Sequence, residues 1–268
     1  MPVLESASIT SADGTRVCFR TLGDGPPLVV VHGAFSTSDD YVPVAVRLAT
    51  THRVVLIDRR GYRDTEVGPT PATFTQDAED LAAVMAALDD RCLLFGHSVG
   101  CLGVLHAARA EPDRIRALTL YEPPILFGGP QRQPLLDRYR QLREVAGDAE
   151  ALVAFTSATS SVPSDAVRLW IEAPARVANV SGIAAGVGRD LEAAVALAPD
   201  FEPWRSLLVP VTLLVNAEGR HDVVEGSVRG LGAVLPRCRQ LRLDGREHVA
   251  HLDYPDQLAD AIRTAFRD

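Results

Sequence analysis

The pattern of apolar and polar residues along the chain alternates between two kinds of stretch. Short apolar runs rich in β-branched residues are followed by longer stretches in which apolar residues recur at helical spacing. The first kind is typical of buried strands and the second of amphipathic helices. Strands are predicted at residues 7–10, 16–23, 26–33, 52–61, 91–98, 115–123, 209–218 and 238–245. This alternation predicts an α/β protein with a mostly parallel, eight-stranded sheet and helices on both faces.

Helical patterns fill most intervals between the strands. Residues 74–90 are amphipathic, and Thr75 is the expected N-cap of their helix. Residues 40–51 also have helical spacing, with Pro43 expected in the first turn. Further helices are predicted at residues 99–113, 222–236 and 254–266.

Residues 125–205 interrupt the alternation, because they contain helical patterns and no strand pattern. An all-helical excursion from a parallel sheet usually covers its carboxyl edge, where binding sites form. We therefore expect a core domain of residues 1–124 and 206–268, and a helical cap of residues 125–205. Its aromatic residues would either line a pocket with apolar walls or fill the core of the cap. They are Tyr139, Phe155, Trp170 and Trp204.

The composition excludes some classes of function. Of 268 residues, 47 % are apolar and 23 % are charged, as in an ordinary globular domain. A net charge of −8 argues against a nucleic-acid partner, which requires a basic surface. We find no signal-peptide pattern and no apolar run of membrane-spanning length, so a cytoplasmic location is expected. The cysteines form no CxxC pair and are expected to be free thiols. They are Cys18, Cys92, Cys101 and Cys238.

Residues 96–100 read GHSVG, a G-x-S-x-G motif between a predicted strand and a predicted helix. The glycines permit a sharp turn that exposes a serine hydroxyl at the helix N-terminus. Ser98 is therefore the candidate nucleophile, and the N–H of Val99 is a candidate oxyanion donor. His97 is expected either to face the substrate or to stabilise the turn. Cys101 is expected to pack rather than to react.

His32 and Gly33 end the third predicted strand. They would bring the backbone close to the serine turn, and both are candidates for contact with the substrate. The N–H of Ala34 would then be a second oxyanion donor.

His248 lies between the last predicted strand and the last predicted helix. This loop is expected to reach back to the serine turn, which makes His248 the candidate base. His251, three residues further on, is a weaker alternative and is expected to pack or to cap.

The segment IDRRGY, residues 57–62, ends another strand with charged residues. Asp58 is expected to hold its own loop. Arg59 and Arg60 are expected to be exposed, either in contact with an acidic substrate or as ordinary surface arginines, which are common in this chain.

The segments VHGAF, IDRRGY, GHSVG and GREHVAHLDYP resemble those of the α/β-hydrolase fold family, in the same order and across nearly the whole chain. This resemblance implies the α/β-hydrolase fold with a helical cap over the pocket. It also implies Ser98 as nucleophile, His248 as base, and Ala34 and Val99 as oxyanion donors.

The chain departs from the family at the acid of the catalytic triad. That acid usually follows the strand after the cap, but residues 216–219 read NAEG, with Gly219 where an aspartate is expected. A minority of the family carries the acid at the end of the preceding strand, where Glu122 stands before two prolines. We therefore favour Glu122 and keep Asp222, a possible N-cap of the next helix, as the alternative acid. Glu218 is a weaker alternative.

These residues predict a serine hydrolase that acts on an ester, thioester or lactone of a small to medium, largely apolar substrate through an acyl-enzyme. Two alternatives stay open. The family also contains enzymes that act on carbon–carbon bonds or do not hydrolyse, such as lyases, cyclases and cofactor-free oxygenases. It also contains catalytically silent proteins that bind small molecules.

No cofactor and no metal are expected, because the chain has no glycine-rich nucleotide motif and no cluster with metal-ligand spacing. The expected partner is a small-molecule substrate rather than a nucleic acid or a membrane. A monomer or a homodimer is expected.

Overall fold

The structure of the protein is a computed structural model. It describes residues 4–88, 90–160, 162–217, 222–244 and 248–267. Within these ranges eight strands form one sheet in the order β1-β2-β4-β3-β5-β6-β7-β8. The strands are β1 Glu5–Thr10, β2 Arg16–Leu22, β3 Pro27–Val31, β4 Arg53–Ile57, β5 Cys92–His97, β6 Ile115–Tyr121, β7 Val211–Asn216 and β8 Cys238–Leu243. β2 runs antiparallel to β1 and β4, and the other neighbours are parallel. The predicted fold class is confirmed.

Helices connect most of these strands. The described α-helices are α1 Val42–Leu48, α2 Phe74–Ala86, α3 Gly100–Ala110, α4 Gln133–Ala146, α5 Asp148–Thr159, α6 Ser164–Glu172, α7 Pro174–Val177, α8 Val180–Ala196, α9 Asp222–Val234, α10 Ala250–Asp253 and α11 Pro255–Ala265. Pro43 lies in the first turn of α1, as predicted. Among the described residues, no helix combines the length and the apolar character needed to cross a membrane.

The start of α2 corrects one prediction. Its N-cap is Thr73 rather than Thr75, because Phe74 is already helical and is buried in the core. The Thr73 side chain accepts a hydrogen bond from the Gln76 N–H, and the Gln76 side chain accepts one from the Thr73 N–H at 3.0 Å. These reciprocal bonds form a capping box.

The central strands bury both of their faces, because successive side chains point to opposite sides of the sheet. Val29 and Val31 of β3 join the hydrophobic cluster that α2, α3 and α9 cover. Leu28 and Val30 join a second cluster on the other face, covered by α1 and α11. This explains why the strands read as continuous apolar runs.

The described residues between β6 and β7 form helices and no strand. α4, α5, α6 and α8 share a third hydrophobic cluster of their own. Tyr62, from the loop after β4, is buried in this cluster and donates a hydrogen bond to Asp190 of α8 at 2.6 Å. The helical segment therefore packs on loops at the carboxyl edge of the sheet. The exact boundaries of core and cap stay a prediction.

Two arginines after β4 are buried in internal ion pairs. Arg59 is 5 % exposed and donates to Asp190 of α8 at 2.5 Å and to Asp77 of α2 at 2.8 Å. Arg60 is 1 % exposed and donates to both oxygens of Asp80, at 2.6 and 2.7 Å. The expectation that these arginines are exposed to an acidic substrate is therefore wrong.

The cysteines are free thiols, as predicted, and Cys18, Cys92 and Cys101 are buried. The Cys101 thiol donates to the carbonyl of Gly96 at 3.1 Å, and burial raises its pKa well above the ordinary value. This side chain packs under the turn after β5.

Candidate active site

Ser98 sits on a sharp turn between β5 and α3. Its φ angle is +51°, in the left-handed region that residues other than glycine rarely adopt. The Ser98 N–H donates to the Tyr121 carbonyl at 2.8 Å, which ties the turn to the end of β6. Gly100 is required because a Cβ there would lie 2.5 Å from the carbonyl oxygen of His32. The structure thus has the strained strand–turn–helix geometry that the sequence motif predicts.

Glu122 follows β6 and has the same unusual backbone, with a φ angle of +53°. It is 3 % exposed, and its N–H donates to the Leu214 carbonyl of β7 at 3.0 Å. Its carboxylate oxygen Oε2 lies 2.5 Å from Nδ1 of His248. Strained backbone at the ends of two neighbouring strands thus presents Ser98 and Glu122 at one edge of the sheet.

Asn216, the last residue of β7, is a contact of Glu122 that sequence reasoning missed. The Asn216 N–H donates to Oε1 of Glu122 at 3.2 Å. The Asn216 side-chain oxygen accepts a hydrogen bond from the Tyr121 hydroxyl at 3.0 Å. Both oxygens of the Glu122 carboxylate therefore have a partner, which offsets the cost of burying the charge. The sequence feature that could have indicated this contact is an asparagine three residues before Gly219, where the family usually carries its acid.

Asp222, the alternative acid, is the exposed first residue of α9. Within the described parts of the chain it makes no hydrogen bond with His248, whose Nδ1 is bonded to Glu122. Glu218 and Gly219 lie outside the described residues. The geometry favours Glu122.

Four histidines gather at this edge of the sheet, and three of them are deeply buried. Burial and the nearby Arg59 charge lower the pKa of His32 to about 3. Burial and the His248 charge lower the pKa of His251 to about 3, and burial lowers that of His97 well below its ordinary value. These three rings are neutral at neutral pH. His248 differs from them, because its side chain is 33 % exposed.

His97 connects the serine turn to the loop that carries His248. Its Nε2 donates to the His248 carbonyl at 2.9 Å, and its ring stacks on that of Tyr121 with 4.9 Å between centroids. His97 is 3 % exposed. Its geometry therefore agrees with the expected role in stabilising the turn, and its contact with substrate stays a prediction.

His32 and Gly33 bring the loop after β3 against the serine turn. His32 is fully buried, and its ring bonds the Arg59 N–H at 3.1 Å and the Gly33 carbonyl at 2.8 Å. A Cβ on Gly33 would lie 3.1 Å from Cβ of Ser98, so a larger residue would crowd the nucleophile. Both residues hold the loop in place, and their contact with substrate stays a prediction.

The two expected oxyanion donors lie on these same segments. In the described ranges, the N–H groups of Ala34 and Val99 bond no other residue. Ala34 packs between the core and the helical segment, and Val99 precedes the first turn of α3. Both N–H groups are therefore available to a ligand.

The remaining candidates have structural surroundings. His251 stacks on Tyr41 with 4.6 Å between ring centroids, and its Nε2 lies 3.4 Å from the Ser36 hydroxyl. Trp204 is 2 % exposed and packs against His106 of α3, so it does not line a pocket under the helical segment. Trp170 lies in that segment, half-buried.

Comparisons with known proteins agree with this architecture. A family model described as "alpha/beta hydrolase fold" matches residues 26–253. The chain is 23 % identical to 2-(acetamidomethylene)succinate hydrolase of Mesorhizobium japonicum, over 91 % of this chain and 88 % of the relative. It is 26 % identical to pimeloyl-[acyl-carrier protein] methyl ester esterase of Xanthomonas campestris, over 90 % and 95 %.

A solved structure is similar over almost the full length. The crystal structure of an alpha/beta hydrolase from Sphaerobacter thermophilus covers 97 % of this chain, and all of that chain is matched, with a TM-score of 0.81 and 27 % identity.

Proposed function

The chain belongs to the alpha/beta hydrolase fold family, and on that premise we propose that it is a serine hydrolase with Ser98, His248 and Glu122 as its catalytic triad. Its relatives are hydrolases. The substrate class we propose is a carboxylic ester, thioester or lactone with a small to medium, largely apolar acyl group.

The contact of 2.5 Å between Nδ1 of His248 and Oε2 of Glu122 supports this proposal most strongly. A carboxylate at Nδ1 holds the imidazole in the tautomer whose Nε2 accepts a proton, and it stabilises the imidazolium that then forms. The His248 side chain is 33 % exposed, whereas the other three histidines are buried and neutral.

The reaction proceeds in two halves. The Ser98 hydroxyl attacks the substrate carbonyl while His248 takes its proton, and the N–H groups of Ala34 and Val99 bind the oxyanion. His248 then returns the proton to the leaving alcohol or thiol, and an acyl-enzyme remains on Ser98. Water, deprotonated by His248, attacks the acyl-enzyme and releases the acid.

The apolar substrate class is supported by the aromatic rings above the loop after β3. Phe35 follows the proposed oxyanion donor Ala34 and stacks on Trp170 of the helical segment, with 4.4 Å between ring centroids. The name of one relative, a methyl ester esterase, agrees with ester cleavage.

The decisive experiment combines covalent labelling with turnover. We expect a fluorophosphonate to label wild-type protein at Ser98 and short p-nitrophenyl esters to be hydrolysed. Ser98→Ala abolishes labelling and lowers kcat by more than about 10³-fold, since the nucleophile is lost. Ser157→Ala, an exposed serine of α5, is the matched control and retains both.

Full ester hydrolysis by folded Ser98→Ala would refute the proposed nucleophile. Wild-type protein with a reactive Ser98 but no turnover of esters, thioesters or lactones would favour a non-hydrolytic member of the family instead.

A further inference from the structure

The loop after β3 has an unusual backbone next to the proposed oxyanion donor Ala34. Phe35 has a φ angle of +61°, in the left-handed region, although it is a bulky residue. Such a conformation persists only where surrounding contacts hold it. Contacts from the helical segment between β6 and β7 help to hold this loop.

The first contact is a pair of aromatic rings. Phe35 stacks on Trp170 of α6, with 4.4 Å between ring centroids and 24° between ring planes. This stack connects the side chain next to Ala34 with a helix that lies more than a hundred residues away in the sequence. A stacked aromatic pair is stabilising beyond the apolar area that it buries.

The second contact is Arg176 of α7, which joins the stack to an ion pair. The Arg176 guanidinium lies over the Trp170 ring, 4.0 Å from its centroid. The same guanidinium binds both carboxylate oxygens of Asp40, and its Nη1 donates to Oδ2 at 2.7 Å. The Asp40 side chain is 4 % exposed and that of Arg176 is 13 % exposed, so solvent screens the pair weakly.

Asp40 also binds Ser36 and Thr37, the two residues that follow Phe35. Its Oδ2 accepts hydrogen bonds from the Thr37 N–H and from the Ser36 hydroxyl, each at 2.9 Å. One carboxylate therefore binds the arginine of the helical segment and two consecutive residues of the loop. The loop from Ala34 to Thr37 is therefore held by two contacts: the stack on Trp170 and the hydrogen bonds to Asp40.

We propose that Arg176 is a positioning residue of the hydrolase, which through Trp170 and Asp40 holds the loop after β3 so that the Ala34 N–H faces the oxyanion. This inference rests on the proposed function. It makes the oxyanion hole dependent on contacts with the helical segment.

The test compares Arg176→Gln with Arg168→Gln by hydrolysis of p-nitrophenyl esters. Arg168 also lies in the helical segment and also binds a carboxylate with two hydrogen bonds. Its partner Glu150 belongs to the same segment, and the two side chains are 43 % and 41 % exposed. We expect Arg176→Gln to lower kcat by about 10- to 100-fold, below the 10²–10³-fold typical of a lost donor. KM stays within about 3-fold, and Arg168→Gln stays within 2-fold of wild type.

Three further measurements separate positioning from architecture. The affinity for a boronic acid, which forms a tetrahedral adduct on the serine, falls in Arg176→Gln by the same factor as kcat/KM, because both depend on the oxyanion hole. Trp170→Phe keeps a ring between Phe35 and Arg176 and retains most of the activity that Trp170→Ala loses. In an Asp40→Asn background, the fold-reduction in kcat caused by Arg176→Gln is less than a third of the reduction that it causes in the wild-type protein.

The outcomes that overturn the inference are distinct from those that overturn the proposed function. A folded Arg176→Gln that matches Arg168→Gln, or that changes KM alone, overturns the inference while the hydrolase remains. Absence of fluorophosphonate labelling at Ser98 in wild-type protein overturns the proposed function, and the inference with it.

Discussion

Glu122 and Asp190 are two buried carboxylates near the carboxyl edge of the sheet, and their partners differ in kind. Glu122 is 3 % exposed and binds the partly exposed imidazole of His248. Asp190 is 5 % exposed and binds Arg59 with both oxygens, at 2.5 and 3.1 Å. Burial by itself lowers the pKa of Arg59. The Asp190 and Asp77 carboxylates outweigh this effect and hold that pKa well above its ordinary value.

The difference separates a group suited to chemistry from one suited to architecture. The guanidinium of Arg59 stays protonated, so its pair with Asp190 joins a loop of the core to α8 and cannot exchange a proton. The partner of Glu122 is an imidazole, a side chain that can accept and donate a proton in catalysis. A buried carboxylate beside a partly exposed imidazole is therefore the better indicator of an active site.

The largest expected effect comes from Glu122→Gln. The amide removes the negative charge that stabilises the imidazolium, and its NH₂ group can hold His248 in the wrong tautomer. We expect kcat on p-nitrophenyl esters to fall by about 10²–10⁴-fold while the fold is retained.

Asp222→Asn is the matched control, since it makes the same chemical change at the alternative acid. It should stay within about 2-fold of wild type. A large loss in Asp222→Asn with an active Glu122→Gln would assign the acid to the loop after β7 and leave Glu122 structural.

The next effect is on stability rather than on activity. Asp190→Asn leaves Arg59 buried with only Asp77 to balance its charge, and we expect the free energy of unfolding in urea to fall by about 2–4 kcal/mol. The kcat of the folded protein should change little. Glu202→Gln removes the carboxylate of an exposed pair with Arg205 and should not shift the urea midpoint measurably.

Asp58 adds a third buried carboxylate to the comparison. Among the described residues it has no cation at hydrogen-bond distance. It is 1 % exposed, Arg63 Nε lies 3.9 Å away, and the Ser38 N–H donates to it at 3.3 Å. Burial raises its pKa to about 6, against the opposing effects of Ser38, Arg63 and Arg20. Its carboxylate therefore pairs with its own loop through Arg63, as predicted, and also binds the segment after β3.

A raised pKa in the folded protein makes the proton bound to Asp58 stabilising. Its contribution is complete below the ordinary pKa of 3.8 and is lost as pH rises to about 6. Asp58→Asn should therefore increase the free energy of unfolding at pH 7.5 by on the order of 1–3 kcal/mol, with a gain that shrinks towards pH 4. Urea titrations across this range measure it, with exposed Asp113→Asn as control. A constant difference at all pH values would contradict this origin.

The strands and the serine turn could be predicted from local sequence. Continuous apolar runs and the glycines around Ser98 carry their structural meaning within about ten residues. The position of Glu122 was also readable, because strand ends of a parallel sheet meet at one edge. Its bond to Asn216 was not, since it depends on the register of β6 and β7.

The contacts between the helical segment and the core were the part that sequence could not predict. Arg59 and Arg60 looked like surface residues, because nothing near them in the chain identifies Asp190 or Asp80 as a partner. Trp204 was expected either in a pocket wall or in the core of the cap, but it packs against α3 in the core of the sheet domain. These errors share one physical cause, which is that burial and pairing are decided by segments distant in sequence.

Gln76 has a consequence for how the protein unfolds. Its side-chain oxygen completes the capping box of α2 and also accepts a hydrogen bond from Arg189 of α8 at 2.6 Å. One side-chain oxygen thus joins the first turn of a core helix to the helical segment, and we expect the two regions to unfold as one cooperative unit. The chain has only two tryptophans, and each reports on one region: Trp170 on the helical segment and Trp204 on the core. Their fluorescence, read separately in single-tryptophan variants, should trace a single coincident transition.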